Sequence, residues 1–256
     1  MSASQAETVT AAVLLIGDEL LSGRTKDKNL GYIAEYLNAM AVEVREARVV
    51  PDIQDEIVAA LNILRDRYDY VFTTGGIGPT HDDITADAVA AAFGVGIDYH
   101  PEAVKILEDR YANTDLELNE ARMRMARVPD GGELILNPIS GAPAFRVGNV
   151  FVMAGVPKIM QAMLDNIAPL LKTGKAMLSR TVKVHIGEGD IAAALEKIQT
   201  DFSGVSIGSY PFEDNGRFAS NIVLRSKDEA KLDMAARAVE EMAETLKTKP
   251  GVRVWT

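Results

Sequence analysis

The chain has 256 residues, of which 47% are hydrophobic and 25% charged, as in ordinary globular proteins, and this length is comfortable for two domains. It contains no cysteine, which excludes disulfides, thiolate metal sites and a cysteine nucleophile. The net charge of -10 disfavours a nucleic-acid-binding protein, which needs a basic surface. The N-terminal segment has neither the basic start nor the long apolar run of a signal peptide or membrane span. We therefore expect a cytoplasmic protein without membrane partners.

The first part of the chain alternates between strand and helix patterns. Strands are predicted at 13–16, 42–50 and 68–74, and the apolar spacing predicts helices over 30–40, 53–64 and 84–93. Asp52 precedes the second helix as its predicted N-cap, and Gly94 is expected to end the third. This alternation predicts a parallel sheet with helices on both faces, in which the first and third strands are neighbours.

The pattern then becomes less regular. Helices are predicted over 101–113, beginning at Pro101, and over 115–127, with Asp115 as cap. A strand at 133–136 and a hairpin around Gly148-Asn149 follow, and then a helix from Pro157 to Pro169. We expect residues 1–10 to be flexible and residues 11–171 to form a three-layer α/β/α domain with a mostly parallel sheet.

Residues 172–256 are predicted to form a second, small α+β domain, with 172–175 as the linker. The predicted order is strand 177–186, helix 188–200, strands 204–210 and 217–225 joined by a turn at 213–216, helix 227–247 and strand 251–255. This β-α-β-β-α-β order is ferredoxin-like. Nothing in this domain suggests catalysis.

The most informative stretch is Thr-Thr-Gly-Gly-Ile-Gly-Pro-Thr-His-Asp-Asp-Ile-Thr, residues 73–85. Its glycines let the main chain approach an anion closely, and a following helix N-terminus adds free N–H groups. Asp82 and Asp83 repel a bare phosphate. They fit a site in which a divalent cation lies between carboxylate and phosphate, or in which one of them accepts a proton or a ribose hydroxyl. The alternative is that both acids only cap the helix.

Other segments lie at predicted strand ends. Gly-Asp-Glu-Leu-Leu-Ser-Gly, residues 17–23, follows the first strand, so it is expected to face the same crevice as 73–85. Residues 137–143 and 155–157 offer main-chain donors and a serine hydroxyl to a phosphate. Each of these segments could equally be a solvated loop.

The histidines and methionines carry weaker signals. The histidines lack metal-ligand spacing and are predicted to lie on the surface: His81, His100 and His185. Four methionines are predicted to pack within helices: Met123, Met125, Met160 and Met163.

Taken together, these segments resemble a known family. Residues 75–85 resemble the signature of the molybdopterin-binding (MoaB/Mog-like) domain of molybdenum-cofactor biosynthesis, in the version of the competence/damage-inducible protein A (CinA) group. Residues 17–23, Asn29 and 155–157 match the same group. The second domain, including Ser209-Tyr210-Pro211, resembles the small domain that follows in CinA-like proteins and in eukaryotic FAD synthases.

The resemblance implies a domain that binds molybdopterin or an adenine dinucleotide. It implies a hydrolase, a pyrophosphatase that cleaves ADP-ribose or a similar compound with a divalent metal ion (Mg, Mn or Co). The alternative is a non-hydrolytic molybdopterin-binding or transfer protein, and a scaffold that has lost catalysis is a third possibility. Family members commonly self-associate, so a homo-oligomer is expected.

The resemblance also implies roles for individual residues. Asp83, Asp82 and Asp52 would be catalytic, and Asp83, Asp82 and Glu19 would bind the metal. The implied substrate-binding residues are Gly17, Asp18, Glu19, Ser22, Asn29, Gly75, Gly76, Gly78, Thr80, Thr85, Ser140, Gly141, Gly155 and Pro157.

Two departures from the family pattern matter. CinA proteins usually continue into an amidase domain acting on nicotinamide mononucleotide, which residues 1–256 do not include, so no deamidation is expected. Members often carry Glu before the methionine that follows Gly-Val-Pro, whereas this chain has Lys158-Ile159 before Met160. Loss of that acid would alter or weaken a metal site.

Overall fold

The computed structural model describes residues 8–112, 114–214 and 217–249. The chain divides into two compact units, with the division after Gly174. Within the described ranges, none of the helices is both long and apolar enough to cross a membrane.

The first unit alternates strands and helices, as predicted. Its strands are β1 (Val9–Ile16), β2 (Val42–Val50), β3 (Tyr70–Thr74), β4 (Ile97–Tyr99), β5 (Arg127–Pro129), β6 (Glu133–Ile135), β7 (Ala144–Val147) and β8 (Val150–Met153). Its helices are α1 (Asp18–Leu21), α2 (Asn29–Ala39), α3 (Gln54–Arg67), α4 (Thr85–Phe93), α5 (Pro101–Tyr111), α6 (Glu120–Met123) and α7 (Pro157–Ile167), with 3-10 turns at Arg124–Ala126 and Ala168–Leu170.

The central sheet has six strands in the order β2-β1-β3-β8-β7-β6. β1 pairs in parallel with β2 and β3, and β3 pairs in parallel with β8, so the predicted neighbours are confirmed. β7 runs antiparallel to both β8 and β6, because Gly148-Asn149 turns the chain back as the predicted hairpin. The sheet is therefore mostly parallel.

Helices cover both faces of this sheet, which confirms the three-layer architecture. Successive side chains of a strand point to opposite faces. Leu14 of β1 accordingly packs in a core cluster with residues of α3 and α4, whereas Leu15 packs in a second cluster with residues of α2 and α7. β1 is buried from Ala11 to Ile16, as expected of a parallel strand covered on two sides.

Several predicted boundaries differ from the structure. β1 begins at Val9, so residues 9 and 10 belong to the sheet and not to the segment expected to be flexible. The helix predicted over 115–127 begins later than predicted: α6 and the 3-10 turn after it span residues 120–126, and the cap is not Asp115 but Asn119, whose side chain accepts a hydrogen bond from the Arg122 N–H. The short antiparallel pair β4 and β5 was not predicted.

The second unit contains β9 (Leu178–Val184), α8 (Glu188–Asp201), β10 (Ser206–Asp214), β11 (Arg217–Ser226) and α9 (Glu229–Lys247). Its sheet order is β10-β11-β9, and both pairs are antiparallel. These five elements follow the predicted ferredoxin-like order. The predicted strand at 251–255 and the predicted turn residues 215 and 216 lie outside the described residues.

Candidate functional site

A cleft of about 560 Å³ lies where β1, β3 and β8 end. The carboxyl ends of parallel strands share one edge of a sheet, which is where open α/β sheets bind ligands. The volume lies within the range of roughly 300–1,000 Å³ that is usual for small-molecule sites. Four acids line the cleft: Glu19, Asp52, Asp82 and Asp83.

The glycine turn after β3 forms the base of this cleft. The Gly75 N–H donates to the Met153 carbonyl of β8, at 3.1 Å. The buried Thr85 closes the turn from its other end, because its N–H donates to the Gly76 carbonyl and its hydroxyl donates to the Gly75 carbonyl, each at 2.9 Å. The main chain between the strand and α4 is therefore held at both ends.

Two carboxylates of the cleft lie directly against glycines. A Cβ on Gly17 would lie 2.5 Å from a carboxylate oxygen of Glu19, and a Cβ on Gly78 would lie 2.6 Å from one of Asp83. A Cβ on Gly76 would instead lie 2.2 Å from the Thr85 hydroxyl oxygen and at an ordinary contact distance, 3.5 Å, from Oδ1 of Asp52. The absence of side chains at Gly17 and Gly78 therefore gives Glu19 and Asp83 the space they occupy.

Asp52 was predicted to be the N-cap of α3, and this prediction is wrong. The cap position is Ile53, and the Asp52 carboxylate accepts a hydrogen bond from the Asp18 N–H at 2.9 Å. Burial raises the pKa of Asp52, and the charges of Asp18, Glu19 and Asp82 raise it further, against the lowering effect of that hydrogen bond. Negative charge is thus concentrated around one half-buried carboxyl group.

Asp82 and Asp83 do not cap α4. The helix begins at Thr85, and its N-cap position is Ile84, which makes no side-chain cap. Oδ2 of Asp83 accepts hydrogen bonds from the Thr80 N–H at 2.8 Å and from the Thr80 hydroxyl at 2.6 Å, so it closes the turn of residues 80–83. Both acids line the cleft, which disfavours the capping alternative.

Asn29 joins the ends of three elements beside the cleft. Its Nδ2 donates to the Thr74 hydroxyl of β3 and to the Gly155 carbonyl after β8, each at 2.8 Å, and it lies itself at the start of α2. The Thr74 hydroxyl donates onward to the Ala154 carbonyl at 2.9 Å. Asn29 therefore fixes the edge of the sheet on which the site is built.

The loop before β7 brings a serine to the cleft. The Asn137 side chain holds this loop, since its Oδ1 accepts from the Ile139 N–H and its Nδ2 donates to the Ser140 hydroxyl and to the Ala142 carbonyl. Arg110 of α5 donates to the Ile139 carbonyl at 2.9 Å. Ser140 lines the cleft as a result.

The seventeen residues implied by the family resemblance separate into three sets. Eleven of them line the cleft: Gly17, Glu19, Asp52, Gly75, Gly76, Gly78, Asp82, Asp83, Ser140, Gly155 and Pro157. Five do not line either this cleft or the smaller cavity beside it: Asp18, Ser22, Thr80, Thr85 and Gly141. Asp18, Thr80 and Thr85 support it through the hydrogen bonds above, and Asn29 lines that smaller cavity.

Part of the cleft wall was missed. Met125 and Met163, predicted only to pack within helices, both line it, and so does Ile159, where the family resemblance implied an acid. The side chain of Lys158 is exposed and lines neither cavity. Helical spacing in the sequence identifies the inward-facing residues of α7. It does not show which of them pack in the core and which line the cleft near the start of the helix.

The three histidines lie outside the cleft. His81 is exposed, as predicted, although its neighbours in sequence line the site. His100 and His185 are half-buried, and Nδ1 of His100 is buried without a hydrogen-bond partner, so the prediction of a surface position is wrong for His100.

Across the described ranges, no group of three or more His, Cys, Asp or Glu side chains is arranged to hold a metal ion. The donors of the cleft are nevertheless of a type suited to a hard cation, because all four acids offer carboxylate oxygens. Mg²⁺ is commonly held by one or two protein carboxylates while substrate phosphates and water complete its shell. The residues present therefore fit a metal that arrives with its ligand better than a preformed metal centre.

Comparison with known families assigns both units. Residues 12–173 match the model of a probable molybdopterin-binding domain. Residues 176–250 match that of the middle domain of FAD synthase.

Relatives extend over almost the whole chain. A protein of Pyrobaculum arsenaticum is 32% identical over 96% of this chain and 98% of its own length. A CinA-like protein of Citrifermentans bemidjiense is 42% identical over 72% of this chain, which is 47% of that relative. The crystal structure of the protein CinA of Thermoplasma acidophilum, described as of unknown function, superposes with a TM-score of 0.59 at 33% identity and covers 64% of this chain and 98% of that one.

Proposed function

Since this chain belongs to the family of probable molybdopterin-binding domains, as a CinA-like member, we propose that it is a divalent-metal-dependent nucleotide pyrophosphatase. Its substrate would be ADP-ribose or a similar adenine dinucleotide. The single observation that carries the proposal is the convergence of Glu19, Asp52, Asp82 and Asp83 on one cleft whose floor is a glycine turn.

The charge of the cleft argues for a cation as part of the bound ligand. Four acids repel the pyrophosphate of a dinucleotide, and the charges of Glu19 and Asp82 help to raise the pKa of Asp52. A divalent ion would neutralise the pyrophosphate and polarise its phosphorus–oxygen bonds when bound. Asp82, Asp83 and Glu19 are the residues that we propose to hold it.

Asp52 is the residue best placed to accept a proton. Its raised pKa makes its carboxylate a stronger base than a solvated aspartate, and the Asp18 N–H fixes its orientation. In the proposed reaction, the oxygen of a water molecule bonds to one phosphorus, the bond from that phosphorus to the bridging oxygen breaks, and the bridging oxygen leaves with the second phosphate. The proton of the water passes to Asp52.

The glycine turn would orient the same phosphates. Gly75, Gly76 and Gly78 line the cleft without side chains, so the N–H groups of Gly76 and Gly78 can approach oxygens that gain charge in the transition state, whereas the N–H of Gly75 already donates to Met153. Ser140 is placed on the same cleft and can donate its hydroxyl.

A second candidate function is binding or transfer of molybdopterin without hydrolysis. One observation favours it: the match to the molybdopterin-binding family over residues 12–173. Ile159 adds an apolar wall where the family resemblance implies an acid.

The decisive experiment is a turnover panel. The protein is incubated with ADP-ribose, FAD or NAD and, in turn, with Mg²⁺, Mn²⁺ and Co²⁺. An added phosphatase hydrolyses the phosphomonoesters released, and the inorganic phosphate is measured. We expect metal-dependent cleavage in the native protein, and a loss of about 100-fold or more in kcat in Asp83→Asn. Asn at this position can still accept the two hydrogen bonds from Thr80, so the turn should survive.

The matched control is Asp66→Asn, which removes the same charge from an exposed position on α3 away from the cleft. Its turnover should equal that of the native protein. Silence of the native protein on every substrate and metal, together with tight binding of a pterin, would replace the pyrophosphatase with the molybdopterin-binding function. Full turnover in Asp83→Asn would overturn the role given to this residue.

We also propose that the protein is a homo-oligomer, as family members commonly are. Size-exclusion chromatography with light scattering measures the mass in solution, and the mass of one chain, 27.7 kDa, would contradict this part of the proposal.

A further inference from the structure

A smaller cavity of about 220 Å³ adjoins the cleft. The two share a wall formed by Ile16, Glu19, Thr25, Gly155 and Pro157. The remainder of the smaller cavity is lined by the loop between α1 and α2, by the end of β1 and by Thr74. A ligand longer than a single phosphate group can therefore extend from one space into the other.

The two spaces differ in charge. The described lining of the cleft contains four acids and no lysine or arginine, whereas Lys26 and Lys28 line the smaller cavity, together with Asp27 and the shared Glu19, and balance the charge of these two acids. Among the ion pairs of the described residues, none involves either lysine. The acid between them, Asp27, is already engaged by the N–H groups of Asn29 and Leu30, at 3.1 and 3.0 Å.

Asn29 carries an unsatisfied polar atom beside the smaller cavity. Its exposure is 6%, it lines the smaller cavity, and its Oδ1 has no hydrogen-bond partner. Both donations of its Nδ2 are used at 2.8 Å, so the oxygen is the atom left unsatisfied. Buried polar atoms are normally paired, and this acceptor, which has almost no accessible surface of its own, is an exception in the wall of the cavity.

We propose that the smaller cavity is a second phosphoryl subsite, in which Lys26 and Lys28 bind the phosphoryl group farther from Asp52, Asp82 and Asp83. The identity of the ligand as a nucleotide rests on the proposed function, whereas the subsite itself follows from the cavity. The preferred ligand class is a nucleotide with two linked phosphoryl groups, selected over one with a single phosphoryl group.

The test compares ligands that cannot be hydrolysed. Isothermal titration calorimetry in Mg²⁺ measures the Kd of adenosine 5′-(α,β-methylene)diphosphate, of AMP and of methylenebisphosphonate. We expect Lys26→Ala and Lys28→Ala each to weaken the methylene diphosphate about fivefold, and the double variant about twentyfold. AMP should change less than about threefold, and Lys28→Arg should retain most of the affinity.

The matched control is Lys105→Ala, which removes the same charge from an exposed position on α5 that lines neither cavity. If the double variant binds the methylene diphosphate as tightly as this control, or loses AMP to the same extent, the subsite is wrong. An unchanged KM for ADP-ribose in the double variant would contradict the subsite but would be consistent with the proposed pyrophosphatase activity. If methylenebisphosphonate binds in a lysine-dependent way but no nucleotide is bound or cleaved, the subsite is supported and the proposed pyrophosphatase activity is contradicted.

Discussion

Replacement of Gly75 by alanine tests how closely the ends of β1 and β3 meet beneath the cleft. Gly75 has a φ of +111°, a conformation that L side chains rarely adopt, and strain of this kind costs about 1–3 kcal/mol. A Cβ here would lie 2.1 Å from the carbonyl oxygen of Ile16. Because that oxygen belongs to the main chain of a buried strand, it cannot rotate away. The strand end must shift, at a cost of about 1–3 kcal/mol.

These two costs predict that Gly75→Ala lowers the free energy of unfolding of the first unit by about 4 kcal/mol. A unit of this size loses about 2–4 °C per kcal/mol, so its Tm should fall by about 8–16 °C. Differential scanning calorimetry is the appropriate assay, because it can separate the transitions of two units that melt independently.

Two other glycines are matched controls. Gly23 has a φ of +72°, but its added Cβ would meet no atom within 4 Å, so Gly23→Ala should carry only the strain, about 1 kcal/mol. Gly31 lies in α2 with open space around its Cβ position, and Gly31→Ala should stabilise the helix by about 0.5–1 kcal/mol. A Tm of Gly75→Ala equal to that of Gly23→Ala would refute the close approach to Ile16.

Three further variants test the site. In Asp52→Asn, we expect higher stability than the native protein at neutral pH without metal. Because the pKa of Asp52 is raised on folding, the free energy of unfolding of the native protein falls as pH rises from 3.8, the ordinary pKa of aspartate, through the pKa of the folded state. Melting curves from pH 4 to 7 should show a smaller fall in Tm in the variant. Asn29→Ala should lower the free energy of unfolding by about 2–3 kcal/mol, because two hydrogen bonds are lost. Its control is Asn38→Ala, at an exposed position on the same helix, which should change the free energy of unfolding by less than about 0.5 kcal/mol; calorimetry measures both. Ile159→Glu should tighten Mn²⁺ binding about tenfold, as titration calorimetry can measure. The side chain of Lys158 lies outside the cleft, so equal tightening in Lys158→Glu would contradict a specific effect.

Local sequence rules determined most of the architecture. Apolar runs with β-branched residues predicted β1 to β3, and helical spacing predicted α2, α3 and α4, because these elements bury continuous faces. Pro101 and Pro157 begin α5 and α7 as predicted, since a proline in the first turn loses no helical hydrogen bond. The weakest predictions were those with little buried surface, such as the helix at 115–127 and the strands β4 and β5.

The composition of the site was also visible in the sequence, but its internal contacts were not. The glycine turn and the acids could be found because strand ends meet at one edge of the sheet. Asp52 shows the limit of this reasoning. An aspartate before a helix satisfies the local rule for a cap, yet its carboxylate accepts the N–H of Asp18, 34 residues earlier.

Only the tertiary structure decided which side chains share a space. Ile159 and Met163 form part of the cleft because α7 begins beside it, and Met125 does so because the segment before β5 also lies there. Neither position has a local signature in the sequence. The separation of Lys26 and Lys28 from Asp52, Asp82 and Asp83 likewise depends on how the loop before α2 folds against β1 and β3. The sequence by itself determined periodic elements and their order, since these depend on near neighbours. The pKa of Asp52, the unpaired oxygen of Asn29 and the division of the site into two spaces depend on long-range packing.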